Sequence, residues 1–223
     1  MSNFQKRDES KRLPGLLIGV PCGDRVHIET MFSLWSLGRN YAGPQGLQFA
    51  RNSIVANGRN MLANGVRELG LEWLLMIDSD MAFPQDTAHR LLAHDKDVVA
   101  CAYRRRGPPF DVQVHRIAES DPEVGLQEVE SIATGIMLIR ASIFNKMKQP
   151  IFRFIPDESI GTHHGEDYSF CKAVREAGGS VYCDWDLSRE VRHFFEYGLS
   201  LADTEAETNA RRVIEEHQSE RAL

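Results

Sequence analysis

The sequence predicts a single α/β domain in which helices flank a mixed, mostly parallel central β-sheet. Short apolar runs recur at residues 16–21, 73–77 and 97–103, and they are too short for free-standing helices. Such runs are typical of strands that are buried on both faces. Segments with helical spacing of apolar residues lie between them, which is the alternation of a parallel sheet. Beyond residue 110 the pattern turns to alternating apolar and polar residues, which indicates antiparallel strands.

Composition and charge narrow the classes of protein that this chain can belong to. The 223 residues carry ordinary apolar and charged fractions, 42% and 26%, so general disorder is excluded. No run approaches the roughly 18 apolar residues of a membrane span, and the N-terminus lacks the apolar core of a signal peptide. We therefore expect no transmembrane segment and a cytoplasmic location. The net charge of −6 argues against broad nucleic-acid binding.

The chain divides into three predicted regions, and no internal repeat or low-complexity linker breaks the middle one. Residues 1–13 show no periodicity and are predicted to be a flexible tail, and residues 14–199 form the predicted domain. Residues 200–223 are predicted to form a charged helix, because Thr204 and Glu207 fit a capping box. We expect this helix to pack on the domain or on a second subunit, which makes a homo-oligomer one predicted assembly. The four cysteines show no C-x-x-C spacing and are predicted to be reduced core residues.

The predicted elements follow the chain as strand and helix units and then as a mixed set. In the first half, helices are predicted at residues 26–37, 60–69 and 84–93, and a short strand is predicted at residues 47–50. These elements lie between the three buried runs. The inner face of the helix at 60–69 is predicted to contain Met61, Leu62, Val66 and Leu69. The second half gives strands at 111–115, 126–132, 133–140 and 180–183, a helix at 141–147, a polar loop at 156–165, and a helix that opens at Gly165 and ends at Gly178.

Two carboxylates follow the central apolar run. Asp78 and Asp80 are separated by Ser79, so in an extended chain both side chains point to the same face. Ligands of open α/β sheets bind outside the carboxyl ends of the strands, and a divalent cation relieves the repulsion between close carboxylates. The motif therefore suggests a metal-dependent site for a phosphorylated ligand. The alternative is that Asp80 caps a helix beginning near Pro84.

Other charged residues have both a structural and a functional interpretation. Arg59 is either a solvated surface residue or a contact for a phosphate or base. The arginines at 104–106 follow a strand on the side where the two carboxylates emerge, so they are candidates for contact with anionic groups. Glu166 and Asp167 occupy a first helical turn, where acids are also favoured by the helix dipole. Asp184 and Asp186 form a second acidic pair, ranked lower as metal ligands because Trp185 makes the segment look packed.

The order of these motifs resembles the GT-A fold glycosyltransferases, particularly the family 2-like enzymes that use a nucleotide-sugar donor. A buried strand runs into Asp78-Ser79-Asp80, Thr134-Gly135 precedes another apolar strand, Gly165-Glu166-Asp167 opens a helix, and His193 follows the last core strand. The resemblance covers residues 16–197. It implies a GT-A, Rossmann-like fold.

The resemblance also implies roles for individual residues. Asp78 is expected to contact the nucleoside, and Asp80 is expected to bind Mn²⁺ or Mg²⁺ with His193 and with Asp78 nearby. A histidine nitrogen beside carboxylate oxygens is more compatible with Mn²⁺ than with Mg²⁺. The remaining residues expected at the donor are Pro21, Cys22, Gly23, Arg59, Ser79, Thr134 and Gly135.

The implied reaction moves a sugar from a UDP- or GDP-linked donor to an acceptor hydroxyl. Asp167 is expected to be the general base of an inverting transfer, with Glu166 orienting the acceptor. Some retaining members share the Asp-x-Asp motif, so the stereochemistry stays open. The acceptor also stays open among a glycan, a lipid, a protein and a modified DNA base, and the short chain leaves little room for an acceptor-binding domain.

Two further hypotheses come from other classes. Asp78-Ser79-Asp80 also resembles the nucleophile motif of haloacid-dehalogenase-type Mg²⁺-dependent phosphohydrolases, although Ala82 fills a position where that motif has Thr or Val. A non-catalytic module that binds a nucleotide sugar would keep the pocket without turnover. A sugar-nucleotide synthase is disfavoured, since the glycine-rich basic signature expected after the first strand is missing at residues 20–23.

Overall fold

The computed structural model describes residues 12–105, 111–118, 122–159 and 161–194, which form one α/β domain. Twelve strands are present in this part of the chain. In chain order they are β1 (Leu16–Cys22), β2 (Gln45–Arg51), β3 (Trp73–Ile77), β4 (Met81–Ala82), β5 (Val98–Ala100), β6 (Val114–Arg116), β7 (Leu126–Ile132), β8 (Ile136–Arg140), β9 (Ile155–Asp157), β10 (Thr162–His164), β11 (Val181–Asp184) and β12 (Arg192–His193).

Five α-helices and one 3₁₀-helix accompany the strands in the described ranges. They are α1 (Ile28–Asn40), α2 (Val55–Glu68), α3 (Thr87–Ala93), the 3₁₀-helix Ala141–Lys146, α4 (Glu166–Glu176) and α5 (Trp185–Ser188). None of the helices in the described part of the chain has the length and apolar character needed to cross a membrane. The predicted N-terminal tail lies almost wholly outside the described residues, and the predicted helix at 200–223 lies entirely outside them.

The central sheet has eight strands in the order β2-β1-β3-β8-β5-β11-β7-β6. β1 pairs in parallel with β2 and β3, and β5 pairs in parallel with β11. β8 runs antiparallel between β3 and β5, and β7 runs antiparallel between β11 and β6. Six strands therefore share one direction, which confirms the predicted mixed, mostly parallel sheet of a Rossmann-like domain.

The core consists of two apolar layers, one on each face of this sheet. Leu16, Ile18 and Val20 of β1 pack with α1 and α3, whereas Leu17 packs with α2 on the opposite face. Every residue of β1 and β3 is buried. This arrangement explains why the strands are continuous apolar runs, because a strand covered by helices on both faces has no solvent side.

Helix α2 begins five residues earlier than the sequence predicted. It starts at Val55, so Arg59 lies within the helix and is buried. Leu62 and Val66 face the core as predicted, but the prediction was wrong for Met61 and Leu69, which are 46% and 60% exposed. The first turn contains Asn57 and Gly58, which are poor helix formers, and this composition concealed the start of the helix.

Several other predicted elements need correction. The helix predicted at 141–147 is a 3₁₀-helix, and the loop predicted at 156–165 contains the hairpin of β9 and β10. The predicted helix at 84–93 begins only at Thr87, and its N-cap is Asp86. Asp80 therefore does not cap this helix. The strands predicted at 97–103 and 133–140 are shorter, because their flanking residues leave the sheet to line the candidate site.

Candidate functional site

A cavity of about 550 Å³ opens at the carboxyl ends of β1 and β3. Its volume lies within the roughly 300–1,000 Å³ of small-molecule sites. The residues that line it come from segments far apart in the sequence. They are Pro21, Cys22, Gly23, Ala50, Asn52, Ser53, Val55, Gly58, Arg59, Asp78, Ser79, Asp80, Tyr103, Arg105, Gln113, Ala133, Thr134, Glu166, Asp167 and His193.

The wall formed by β1, β2 and α2 depends on close backbone packing. The Asn52 N–H donates to the carbonyl oxygen of Cys22 at 3.0 Å, which joins the segments that follow β1 and β2. A Cβ atom on Gly58 would lie 3.2 Å from the carbonyl oxygen of Ala50. A glycine at this position therefore lets the first turn of α2 approach the end of β2, which brings Arg59 to the cavity.

Arg59 joins two acidic residues beneath the cavity. Its Nη2 donates to Asp78 Oδ1 at 2.8 Å, and its Nη1 donates to Glu166 Oε1. Burial alone would lower the pKa of Arg59, but the adjacent carboxylates of Asp78 and Glu166 raise it. The guanidinium therefore stays charged and fixes the end of β3 against the start of α4.

Glu166 is nearly enclosed, with 8% of its surface exposed. Desolvation raises the pKa of its carboxyl group, although Arg59 acts in the opposite direction. Since a buried carboxylate requires a paired cation, Glu166 depends on Arg59 to stay ionised. The carboxylate of Asp78 is held by the same guanidinium, so it enters the cavity as a partly neutralised group.

Asp80 and His193 lie side by side because of a small antiparallel pairing. β12 pairs with β4, with His193 opposite Met81, and the Phe194 N–H donates to the carbonyl oxygen of Asp80 at 2.8 Å. The Nε2 atom of His193 lies 3.5 Å from Asp80 Oδ2. Its Nδ1 lies 2.9 Å from the carbonyl oxygen of Arg104, and because a carbonyl only accepts, Nδ1 carries the proton.

When His193 is neutral, this tautomer directs the Nε2 lone pair towards Asp80 Oδ2. Two lone pairs at this distance favour either a shared proton or a bound cation between them. Metal-ligating histidines usually donate their second ring N–H to a carbonyl or carboxylate, as His193 does to Arg104. A nitrogen donor and an oxygen donor are a set that fits Mn²⁺ or Mg²⁺.

Asp78, the third residue expected at the metal, pairs with Arg59 instead. No group of three or more histidine, cysteine, aspartate or glutamate side chains within the described ranges is arranged to hold a metal by itself. Asp78 pairs with Arg59, so the geometry favours the two-residue set of Asp80 and His193. The rival acidic pair has structural contacts instead: Asp184 accepts from the Leu187 N–H, and Asp186 accepts from the Gly125 N–H.

Asp167 lies in the first turn of α4 and lines the cavity. Its Oδ1 accepts a hydrogen bond from the Tyr168 N–H at 2.7 Å. A Cβ atom on Gly165 would lie 2.5 Å from the same oxygen, closer than atoms tolerate. The glycine of the Gly165-Glu166-Asp167 motif is therefore required for the orientation of the Asp167 carboxylate.

The segment between β7 and β8 forms another wall. The Gly135 N–H donates to Tyr103 Oη at 3.1 Å, and a Cβ atom on Gly135 would overlap the Tyr103 ring. Burial raises the pKa of Tyr103, so the phenol stays protonated. Thr134 is 1% exposed, and its Oγ1 has no hydrogen-bond partner among the described residues. An unsatisfied hydroxyl beside a cavity is a candidate contact for a ligand.

The structure brings almost all of the predicted site residues together. Gly135 is the one that does not line the cavity, and it contributes by positioning Tyr103. Sequence reasoning missed Tyr103, Asn52, Ser53 and Gln113. The available signal for the first three was position: Asn52 and Ser53 lie one and two residues after β2, and Tyr103 lies three residues after β5, on the edge where Asp78 emerges. Of the arginines at 104–106, Arg105 lines the cavity, Arg104 contributes its carbonyl oxygen, and residue 106 lies outside the described ranges.

Comparison with known proteins supports the fold. No protein-family model matches this chain, and no curated protein matches it. The structure is similar to the crystal structure of A197 from STIV, with a TM-score of 0.55 and 15% sequence identity, over 86% of this chain and 100% of that one. A weaker similarity, with a TM-score of 0.44 and 12% identity, is to mannose-1-phosphate geranyltransferase from Thermus thermophilus, over 77% of this chain and 74% of that one. The first similarity shows a shared fold, and the second is too weak to add to it.

Proposed function

We propose that this protein is a metal-dependent glycosyltransferase of the GT-A type, which moves a sugar from a nucleoside-diphosphate sugar to an acceptor hydroxyl. The observation that carries the proposal is the pairing of Asp80 and His193 at the mouth of a cavity that Asp167 also lines. One cavity thus contains donors suited to a cation that binds a diphosphate and a carboxylate suited to accept a proton.

In this proposal the donor lies along the carboxyl edge of the sheet. Pro21, Cys22 and Gly23 contact the base, and Thr134 and Tyr103 face the transferred sugar. Arg59 holds Asp78 for contact with the nucleoside. The unsatisfied hydroxyl of Thr134 supports a hydroxyl-rich ligand, because a sugar hydroxyl would supply the hydrogen bond that the described residues leave unmade.

The proposed chemical step is an inverting displacement. The acceptor oxygen attacks the anomeric carbon while the Asp167 carboxylate takes the proton of that hydroxyl. The bond from the anomeric carbon to the diphosphate oxygen breaks, and its electron pair leaves with the nucleoside diphosphate. A divalent cation held by Asp80 and His193 would supply positive charge that offsets the charge gained by the diphosphate. Gly165 keeps Asp167 in the orientation that the proton transfer needs.

We propose that Glu166 positions Arg59, in addition to orienting the acceptor as the resemblance implies. Its carboxylate is bonded to Arg59 and is mostly enclosed, so its main contact is with the protein. The Glu166–Arg59–Asp78 bridge joins α4, which carries the proposed base, to β3, which leads to the proposed metal site. A fixed distance between base and metal is what a displacement between them requires.

A thermal-shift screen tests this proposal with UDP, GDP and their sugar conjugates, with and without Mn²⁺. We expect a Mn²⁺-dependent rise in melting temperature with one of the nucleoside diphosphates, equivalent to about 2.7 kcal/mol at a hundredfold excess over Kd. Hydrolysis or transfer of the sugar from the same nucleotide sugar would distinguish an enzyme from a binding module. A shift with Mn²⁺ alone and none with any nucleotide would overturn the proposal.

The phosphohydrolase hypothesis is less compatible with the geometry. Its nucleophile would be Asp78, whose Oδ1 is 2.8 Å from Nη2 of a buried arginine. A carboxylate held in this way is a weaker nucleophile than a solvated one. Release of inorganic phosphate from a phosphomonoester with Mg²⁺, with no response to nucleotide sugars, would support that hypothesis instead.

A further inference from the structure

Three aromatic or imidazole rings meet next to the proposed base. Tyr168 directly follows Asp167 in α4, and its N–H donates to Asp167 Oδ1 at 2.7 Å. The His164 ring of β10 stacks on Tyr168, with centroids 4.4 Å apart and an interplanar angle of 25°. His115 of β6 meets the Tyr168 ring edge to face at 6.5 Å. We call the rings of His115, His164 and Tyr168 the ring cluster.

The protein itself holds the ring cluster in place. The Nε2 atom of His164 lies 2.7 Å from Asp157 Oδ2 across the β9–β10 hairpin. The other oxygen of Asp157 accepts from the Ser159 hydroxyl at 2.6 Å and from the Ser159 N–H at 2.9 Å. These hydrogen bonds lower the pKa of Asp157, so a carboxylate stands beside the imidazole. The cluster is therefore preorganised, which reduces the entropy that a ligand must lose on binding.

The ring cluster continues the wall of the cavity. Gln113 lines the cavity, and His115 lies two residues further along an extended segment, so both side chains point to one side. Tyr168 and His164 are half-buried and His115 is exposed. Each ring has an apolar face, and its hydroxyl or nitrogen atoms lie at the edge. The cluster thus offers flat apolar surface with a rim that can form hydrogen bonds.

We propose that the ring cluster binds the acceptor and that this acceptor is a carbohydrate, an inference that rests on the proposed transferase function. A pyranose ring has an apolar face of C–H groups and a rim of hydroxyls, which matches rings with polar edges. A sugar on the cluster presents a hydroxyl to the neighbouring Asp167 carboxylate, which takes its proton. The bonds that form and break are those of the proposed displacement, with this hydroxyl as the nucleophile.

The other classes of acceptor fit this part of the molecule less well. A lipid chain requires a continuous apolar surface, whereas each ring of the cluster has a polar edge. A DNA acceptor requires cations for its phosphates. The net charge is −6, and the described arginines of this region already face acids: Arg105 Nε lies 3.4 Å from Asp111, and Arg116 Nη1 lies 3.8 Å from Glu123. Because nucleobases also stack on aromatic rings, a modified base is the strongest rival.

Saturation-transfer difference NMR on the full chain, with Mn²⁺ and UDP or GDP present, tests this inference. The probes are the methyl glycosides of glucose, galactose, mannose, rhamnose and N-acetylglucosamine. We expect saturation of the C–H protons on one ring face of at least one glycoside. Tyr168→Ala should weaken binding of that glycoside by about tenfold or more, whereas Tyr168→Phe keeps the ring and should keep most of the signal.

Two further variants separate stacking from a general effect on the fold. His115→Ala changes an exposed position and should also weaken binding of the glycoside. Trp35→Ala is the matched control, because it removes an exposed ring from α1, outside the cavity and the cluster. It should leave the saturation signal unchanged.

Three results would overturn the inference. One is the absence of saturation with all five glycosides, and if the melting temperature still rises with the nucleotide, the proposed function survives. Loss of the nucleotide shift as well would overturn both. The second is an equal signal from Tyr168→Ala and His115→Ala, which would place the sugar elsewhere. The third is saturation of only an oligonucleotide that contains 5-hydroxymethylcytosine, lost in Tyr168→Ala, which would assign the cluster to a nucleobase.

Discussion

The Nε2 atom of His193 lies 3.5 Å from Oδ2 of Asp80, which joins the end of the described chain to the loop after its central strand. Three contacts enforce this proximity: the β4–β12 pairing, the Phe194 N–H bonded to the Asp80 carbonyl, and His193 Nδ1–H bonded to the Arg104 carbonyl. The site is therefore preorganised by backbone groups. Side-chain substitutions can remove a donor without removing the scaffold.

Loss of either donor should weaken metal binding. We expect Asp80→Asn and His193→Ala each to lower the affinity for Mn²⁺ in the presence of a nucleoside diphosphate by roughly 10–100-fold or more. Isothermal titration calorimetry of Mn²⁺ into the protein–nucleotide mixture measures this. The control is Asp186→Asn, because Asp186 bonds to the Gly125 N–H and should not affect the affinity. Equal affinities for all three variants and the unmodified protein would refute the metal assignment.

Asp167→Asn should separate binding from catalysis. An amide is nearly isosteric with the carboxylate but cannot accept the acceptor proton, so we expect kcat to fall by about 10²–10⁴-fold. The Mn²⁺-dependent thermal shift with nucleotide should be retained. Glu176→Gln makes the same chemical change at the exposed end of α4 and should leave kcat unaltered. A variant that retains full transfer would exclude Asp167 as the base.

Gly165→Ala should reproduce part of this loss without changing any charged group. The new Cβ would lie 2.5 Å from Asp167 Oδ1, so the carboxylate must move. We expect a reduced kcat with little change in the KM of the donor, measured under the same conditions as for Asp167→Asn. Gly38→Ala is the matched control, because its Cβ would meet only Gln45 Oε1 at an ordinary 3.7 Å. A change in donor KM alone would contradict this explanation.

The parts of the site that the sequence predicted are those encoded by local pattern. A buried strand that ends in Asp78 and Asp80, and a glycine that opens a helix before Asp167, place their carboxylates at the same sheet edge. The buried state of Arg59 could not be predicted, because it depends on Glu166, a partner 107 residues away. Local sequence favours a surface position for arginine, and only the two tertiary ion pairs reverse that preference.

The side of α1 that faces the core was equally beyond prediction. Periodicity indicates an amphipathic helix, but α1 buries Thr30 and Ser33 and exposes Phe32 and Trp35. The Phe83 N–H donates to Ser33 Oγ at 3.1 Å, so this small polar side chain has a specific buried partner. The core face of α1 therefore includes a tertiary hydrogen bond that periodicity does not reveal.

Cysteine reactivity gives an independent test of the cavity. Burial raises the pKa of Cys171 and Cys183 to about 12, so both thiols stay almost entirely protonated at pH 8. Cys22 lines the cavity and is 8% exposed, whereas the other three cysteines are fully buried. We expect a thiol reagent to modify Cys22 first, slowly, because burial also raises its pKa. A nucleoside diphosphate with Mn²⁺ should slow this reaction.

The control for this experiment is Cys22→Ser, which should leave three thiols that react only after unfolding in urea. Mass spectrometry of the labelled peptides identifies the modified residue. Rapid labelling of Cys171 or Cys183 in the folded protein would contradict their burial. Labelling of Cys22 at the same rate with and without the ligand would show that the nucleotide binds elsewhere.

Removal of Arg59 should destabilise the fold in a pH-dependent way. Arg59→Met leaves Asp78 and Glu166 without their shared cation, and breaking a buried ion pair costs about 3–5 kcal/mol. Desolvation raises the pKa of Glu166 above its ordinary value of 4.5, so its contribution to stability is full below that pH and is lost as pH rises through the folded-state pKa. Arg59 limits this loss, because its charge lowers the pKa of Glu166.

Without Arg59 the loss should be larger and should extend to higher pH. We therefore expect the difference in unfolding free energy between the unmodified protein and Arg59→Met to be smallest near pH 4.5 and to grow towards pH 7, as measured by urea denaturation. The double variant Arg59→Met, Glu166→Gln should recover part of the stability at pH 7, because one of the two unpaired carboxylates is gone. Arg67→Met removes an exposed arginine from the same helix and should change little. A pH-independent difference would mean that Glu166 is not the group that Arg59 keeps ionised.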